Sequence, residues 1–414
     1  MFTFLKEVLT DVCYIWRDEM RQVVKDEGVL IFFILVPLAY PLLYSWIYNN
    51  EVVREVPVVV VDDSHTAMSR KFLRMCDASP DISIAHFAAD MDEAKQLVSR
   101  HKAYAIYYIP SDFQERLLRM EQSVISVYCD MGLMLTYKAA YQTTVLVSQE
   151  MNSEIQIRIS GHYTAQEERI QARPLDYDSV PLFSPGGGYG SFILPGVLIL
   201  ILQQTLVLGI GLSAGTARES NRFKDLVPVQ KHYHGMFRIV GGKSLCYFMV
   251  YAVMGTWLTV VVPRMFHFPC LAHPTDLLAI MFPYLLACIF FGITVSCLVR
   301  YRENVMLLMV FVSVPLLFLS GVSWPQSGIP GVWQGISWLF PSTFGVRAYV
   351  RMNSMGATLS DTLVEYHALW IQAFIYFLVA CLVYRYQIIQ ARRHANERLL
   401  YMKHRRAAMQ EAQG

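Results

Sequence analysis

Asp, Glu, Lys and Arg are missing from the six longest apolar stretches of this chain, 28–48, 191–213, 244–262, 277–298, 305–324 and 366–384. An α-helix needs about twenty apolar residues to cross ~30 Å of hydrocarbon, so each stretch reads as a membrane span. A charge at the bilayer centre costs at least about 2.5 kcal/mol and marks an ion or proton pathway by default. The lack of such charges excludes an obvious ion-coupling relay within the spans. His367 falls near the outer end of the sixth stretch, not at its centre. No internal repeat is evident either, which removes the inverted-repeat signature of many secondary transporters.

Other absences narrow the reading further. The eight cysteines show no CxxC or other paired spacing. Cys246, Cys288, Cys297 and Cys381 fall in predicted spans, where a thiol packs as a small hydrophobe. Cys76 and Cys129 share one extramembrane segment, and a bridge between them stays open if that side is oxidising. There is no metal-ligand cluster and no nucleophile paired with a base. A net charge of +2 gives no reason to expect a nucleic-acid partner. The first apolar stretch follows twenty-seven residues rich in charge and is too long for a signal-peptide core. Gly241, Gly242, Lys243 and Ser244 look like the end of a phosphate loop, but the loop needs a glycine where Phe237 stands. Lys243 is therefore read as an interfacial anchor, and His232 and His234 as part of a solvated loop.

What is present divides into two materials. Of 414 residues 54% are hydrophobic, too many for an ordinary soluble protein, yet 16% are charged, so the charges must lie outside the membrane. Residues 1–27 read as an amphipathic interfacial helix, with Leu5, Val8, Val12, Ile15, Met20 and Val23 on one side. Lys6, Asp11, Arg17, Asp18, Arg21 and Lys25 fill the other side. The first span carries Pro37 and Pro41, one turn apart, and is predicted to kink there.

Residues 49–189 alternate strand and helix signals. Strands are predicted at Val58–Val61, Ile82–Phe87, Ala103–Ile109 and Val124–Cys129. Helices are predicted at Met68–Cys76, Met91–Arg100, up to Met120, and Leu133–Ile157. That alternation implies an α/β domain with a parallel or mixed sheet. Asp62, Asp63 and Asp130 sit at strand ends, where turns and helix caps use carboxylates. Gly186 to Gly188 and Gly190 read as a flexible join to the second span.

Lysine and arginine in short loops set orientation. Arg218, Arg222, Lys224, Lys231, Arg238 and Lys243 follow the second span, Arg300 and Arg302 the fourth, and a basic tail over 385–414 the sixth. The opposite side is poor in them. Both termini are thus expected in the cytoplasm and the α/β domain outside it. Between the fifth and sixth spans, prolines and glycines break an apolar run. Trp324, Pro325, Pro330, Trp333, Trp338 and Pro341 suit an outer re-entrant segment over 325–345.

Taken in order, four pieces resemble the permease subunit of ABC-2-type transporters, in the group with a large domain between the first two spans. They are Lys25-Asp26-Glu27 with Pro37 beyond, Val58 to Asp63 with Ser64 and Ser69-Arg70, Ala217-Arg218-Glu219 with its basic loop, and the Ser320-Gly321 to Pro341 series. Ser220 to Phe223 departs from that family, which often has a glycine there. The resemblance implies a six-span helical membrane protein with an inserted extracytoplasmic α/β domain. It implies export across a bacterial inner membrane, driven by separate cytoplasmic ABC ATPase subunits, and a second permease subunit, the same or related. A periplasmic adaptor is a further candidate partner of the outer domain. Arg218, Glu219, Arg222 and Lys224 are the candidate ATPase-coupling residues, and no cofactor or metal is called for. The spans suit an apolar or amphiphilic cargo. The alternative is a non-transporting receptor or scaffold whose outer domain binds a ligand, although six spans exceed what an anchor needs.

Overall fold

The computed structural model describes residues 2–49, 52–160, 164, 167, 170, 182–183, 188–220, 226–227, 233, 235–298 and 301–411. It divides into two compact units, Asn50–Pro181 and the remainder, Met1–Asn49 with Leu182–Gly414.

The smaller unit is built on the β-branched run of β1 (Val56–Asp62), which is buried along nearly its whole length. Such a run suits a strand covered on both faces. β1 pairs in parallel with β2 (Ile82–Phe87) on one side and β3 (Ala105–Ile109) on the other. β4 (Ser126–Cys129) adds antiparallel to β3, giving the order β2-β1-β3-β4. Side chains alternate across the sheet. Val56, Val58 and Val60 join Phe72 and Cys76 of α3 (Ala67–Asp77) and Ala140 of the long α6 (Met134–Ser160). Val59 and Val61 face Ala94 of α4 (Met91–Ser99). A short α5 (Phe113–Leu118) precedes β4. All four predicted strands and helices are present, with ends moved by a few residues.

The carboxylates at the strand ends close turns. Asp62 accepts from the backbone N–H groups of Ser64 and His65, both at 3.1 Å, and from Ser69 Oγ at 2.8 Å. Asp130 accepts from the Gly132 N–H at 2.8 Å. Asp63 takes the Tyr108 hydroxyl proton in a hydrogen bond, which raises the phenol above its ordinary range. Cys76 and Cys129 are both free thiols, and burial with Asp77 beside it pushes Cys76 up to about 12.

The larger unit is a bundle. α1 (Phe2–Lys25) leads to α2 (Glu27–Ile47), and α7 (Tyr189–Ser220) returns. Then come α8 (Met236–Met265), α9 (Pro274–Leu298) and α10 (Arg302–Leu319). Short α11 (Gly331–Ser337) and α12 (Pro341–Met355) precede α13 (Leu363–Glu411). Six of these, α2, α7, α8, α9, α10 and the first part of α13, are long and apolar enough to cross a membrane. The spans start or end beyond their predicted bounds. Helix α7 continues through Arg218 and Glu219, α8 begins before Lys243, and α13 runs on through the basic tail.

Helix α7 is the enclosed element, and α10 leaves most of its apolar surface outward. Close approach comes from small residues. A Cβ on Gly209 of α7 would run into the ring of Phe33. Gly190, predicted as part of a flexible join, lies instead in the first turn of α7, where a Cβ would come within 2.9 Å of the Tyr48 carbonyl. Two π-turns, Ile31–Leu35 in α2 and Trp257–Val261 in α8, each end two residues before a proline, Pro37 and Pro263. Proline cannot donate to the carbonyl four residues back and clashes with it. A widened turn relieves both faults. Pro41, the second predicted kink, is buried within the following α-helical segment.

Replacing Gly209 by Val is expected to destabilise the bundle by about 1–3 kcal/mol through overpacking. Gly241→Ala, with open space around it, is expected to be tolerated. Thermal unfolding in detergent distinguishes the two.

Candidate functional site

Helix α1 lies against α8, and its buried stripe is not the purely apolar one its periodicity suggested. Ile15 and Val23 are buried, but so are Asp11 and Glu19, the latter only 1% exposed. A carboxylate removed from water needs partners. Glu19 receives Lys243 Nζ and the Tyr247 hydroxyl from α8, and Ser213 Oγ from α7 at 3.2 Å. Lys243 is thus the counter-ion of Glu19, itself buried, and not the interfacial anchor expected from its position at the start of a predicted span. The neighbouring Gly242 lets α1 come close, since a Cβ there would press on Ile15. Gly241 to Ser244 is interior helix and forms no loop around a phosphate.

Three further acids extend the seam. Asp11 pairs with Arg238. Asp18 accepts from the Tyr233 hydroxyl at 2.8 Å. Asp26 breaks the chain between α1 and α2 and caps α2, accepting from the Gly28 and Val29 N–H groups at 3.0 and 3.3 Å. It also takes Thr216 Oγ1 at 2.6 Å and Arg302 Nη2 at 2.9 Å. Burial alone would raise its carboxyl, but the hydrogen bonds from Thr216 and Val29 and the Arg302 charge hold it below the usual range. The start of α8 is therefore tied to α1 by ion pairs and the end of α7 by a hydrogen bond, while Asp26 joins the starts of α2 and α10 to the end of α7.

Among the predicted coupling residues, Arg218 is 4% exposed and donates through Nη2 to the Cys297 carbonyl at the end of α9, at 2.9 Å. Glu219, on the same turn, is exposed. Arg222 and Lys224 lie outside the described residues, as do His232 and His234. The acids of α1 were not singled out as a site from sequence. Their spacing carried the signal: Asp11, Asp18-Glu19 and Asp26 recur about every two turns.

The opposite end of the bundle holds the segment predicted as re-entrant. Pro325 begins a short turn, Pro330 precedes α11, and Pro341 opens α12. Trp324, Trp333 and Trp338 are more than half exposed. The Trp338 carbonyl accepts from Gln372 Nε2 at 2.6 Å, tying the segment to α13. Nearly every residue from Pro341 to Tyr349 is buried. The Ser342 N–H donates to Gln203 Oε1 of α7 at 2.6 Å.

In the smaller unit a groove of about 800 Å³ opens beside α3 and the end of β2, lined among others by Asp63, Arg70, Arg74 and Phe87. Among the described residues no group of three or more metal-ligating side chains is present.

Glu19→Ala leaves Lys243 buried without its carboxylate, a loss expected to cost about 3–5 kcal/mol. Glu19→Leu combined with Lys243→Leu is expected to recover most of it, and thermal unfolding in detergent measures both. The Asp26 carboxyl, lowered in the fold from 3.8, contributes stability that is fully present above that value and is lost as pH falls through the native one. Asp26→Asn is expected to flatten that acid loss in unfolding measured against pH.

A family model described as ABC-2 family transporter protein matches residues 28–382. A search of curated proteins finds no match to the chain. The matched region takes in all six candidate spans up to Leu382 and the whole four-stranded unit. The chain belongs to the ABC-2 transporter family, as a multi-pass membrane component that works with an ABC ATPase rather than as a catalyst itself.

Proposed function

We propose that this chain is the permease subunit of an exporter in the bacterial inner membrane, with both termini in the cytoplasm. Its cargo is apolar or amphiphilic, and a separate cytoplasmic ATPase supplies the energy. The observation that carries this reading is the charged seam at one end of the bundle. Arg218, Arg238, Lys243 and Arg302 gather there, at the end the positive-inside rule assigns to the cytoplasm. The four-stranded unit, inserted between the first two spans, then lies outside the cytoplasm, where it is available to a periplasmic adaptor. A second permease subunit, the same or related, completes the pathway.

The seam also suits the transmission of force. A push on α1 or on the end of α7 reaches α2, α8 and α10 directly, because ion pairs and hydrogen bonds join them. Glu219, exposed one residue beyond the buried Arg218, is the side chain best offered to the ATPase, and Arg222 and Lys224, which follow it in the sequence, are proposed to act with it. Complementary charges there would steer docking more than they would add raw affinity.

Purification with native partners is expected to recover a P-loop ATPase. Glu219→Ala should lower ATP hydrolysis by the assembled complex with unchanged thermal stability, whereas Arg218→Ala should lower the stability of the bundle itself. Cargo movement in vesicles driven by a proton or sodium gradient without nucleotide overturns the reading.

A further inference from the structure

Helix α12 begins deep in the bundle. Its Ser342 N–H meets Gln203, fourteen residues into α7, or about 20 Å along that helix. Its other end reaches the connection between α8 and α9, where Asn353 Nδ2 donates to the Pro269 carbonyl at 2.8 Å. Between those two depths stands Arg347, roughly 8 Å along α12 from Ser342. That level falls alongside α7, which is long and apolar enough to cross a membrane, and within a bilayer a charge needs a counter-charge.

Among the described residues that counter-charge is only partly supplied. Arg347 Nε and Nη2 are both buried and have no hydrogen-bond partner among the described residues. Glu365 of α13 acts on Arg347 electrostatically. Its carboxylate, however, is held by Arg351, one turn further along α12, at 3.2 and 3.3 Å. Two arginines thus face one carboxylate. The Phe344 ring lies 5.7 Å from the Arg347 guanidinium carbon and covers one face, which leaves the N–H edge as the part still to be satisfied. Unpaired buried donors are rare in folded proteins, and a buried charge left without a partner is costly. The fork of a guanidinium fits two oxygens of a phosphate or carboxylate.

We propose that Arg347 is the anion-binding residue of a headgroup site on α12, taking the phosphate or carboxylate of a membrane amphiphile. The guanidinium edge receives the two oxygens beside the Phe344 ring, and the chains of the amphiphile stay in the bilayer. That the amphiphile is also the cargo rests on the permease reading; the site itself rests only on the chain's place in the membrane.

The test uses the full-length protein with its ATPase partner, delipidated in detergent. Dioleoyl phosphatidylglycerol, dioleoyl phosphatidylcholine and inorganic phosphate are titrated separately, with binding read by native mass spectrometry. Wild-type protein is expected to hold phosphatidylglycerol in preference to phosphatidylcholine. Arg347→Gln is expected to weaken that binding about tenfold or more, the loss of a charged hydrogen-bonding pair. Arg347→Lys should fall between them, since it keeps the charge without the fork, and it carries the comparison if Arg347→Gln does not fold. Arg393→Gln, which alters an exposed ion pair on the tail, should change nothing. Equal binding of phosphatidylglycerol by wild type and both Arg347 variants overturns the proposal and leaves water as the partner. Equal binding of the two lipids overturns it as well. Displacement of the lipid by inorganic phosphate assigns the site to a soluble anion and overturns its assignment to an amphiphile. In proteoliposomes, loss of binding together with loss of ATP-driven phosphatidylglycerol movement supports a cargo site. Loss of binding with movement intact supports the same site holding resident lipid. Absence of any ATP-driven movement in wild type defeats the permease reading and leaves the headgroup site standing.

Discussion

Glu19 is almost wholly withdrawn from water on a helix that precedes the first span, so its charge must be met from other elements. Lys243 and Tyr247 of α8 and Ser213 of α7 meet it. This contact fixes the rotation of α1, because only one face of the helix can present Glu19 to α8. Asp11 and Asp26 then fall where Arg238 and Arg302 can reach them. A buried ion pair is weak evidence for stability, since desolvation offsets much of the attraction. Its clearer consequence is specificity: a slipped register would strand two charges in an apolar setting.

The spans themselves carry little specificity of that kind. Lipid tails are as apolar as leucine, so helices in a bilayer associate through close packing and hydrogen bonds. The bundle follows that rule. Gly209 admits the Phe33 ring, Tyr284 donates to the Ile199 carbonyl at 2.7 Å, and Tyr349 to the Thr259 carbonyl at 3.0 Å. Both of these hydroxyls end on a backbone oxygen of another helix. The widened turns before Pro37 and Pro263 serve the same economy within a single helix.

The two ends of the bundle differ in how their charges are treated. At the α1 end, Asp11, Glu19 and Asp26 are matched by Arg238, Lys243 and Arg302. At the other end, α12 carries two arginines against one carboxylate, and one guanidinium edge is left bare. A mechanical junction benefits from matched charges, which hold their partners in place. A binding surface benefits from an unmatched one, which keeps a place for a ligand.

The sequence by itself determined the number of spans, the α/β character of the inserted unit and the family. Each follows from local pattern: twenty apolar residues cannot be hidden elsewhere, and a valine run between turn residues has few alternatives to a buried strand. Proline spacing likewise marked where α2 would deviate, and the broken apolar run before Pro341 marked where short helices replace a long one. Tertiary structure alone decided which charges matter. Lys243 read as an anchor because sequence shows each residue's neighbours along the chain, not across it. Glu19 and Lys243 are 224 positions apart, and Arg347 is distinguished only by a carboxylate that went to Arg351. Pairing is a property of distance in space, and the folded helices set that distance.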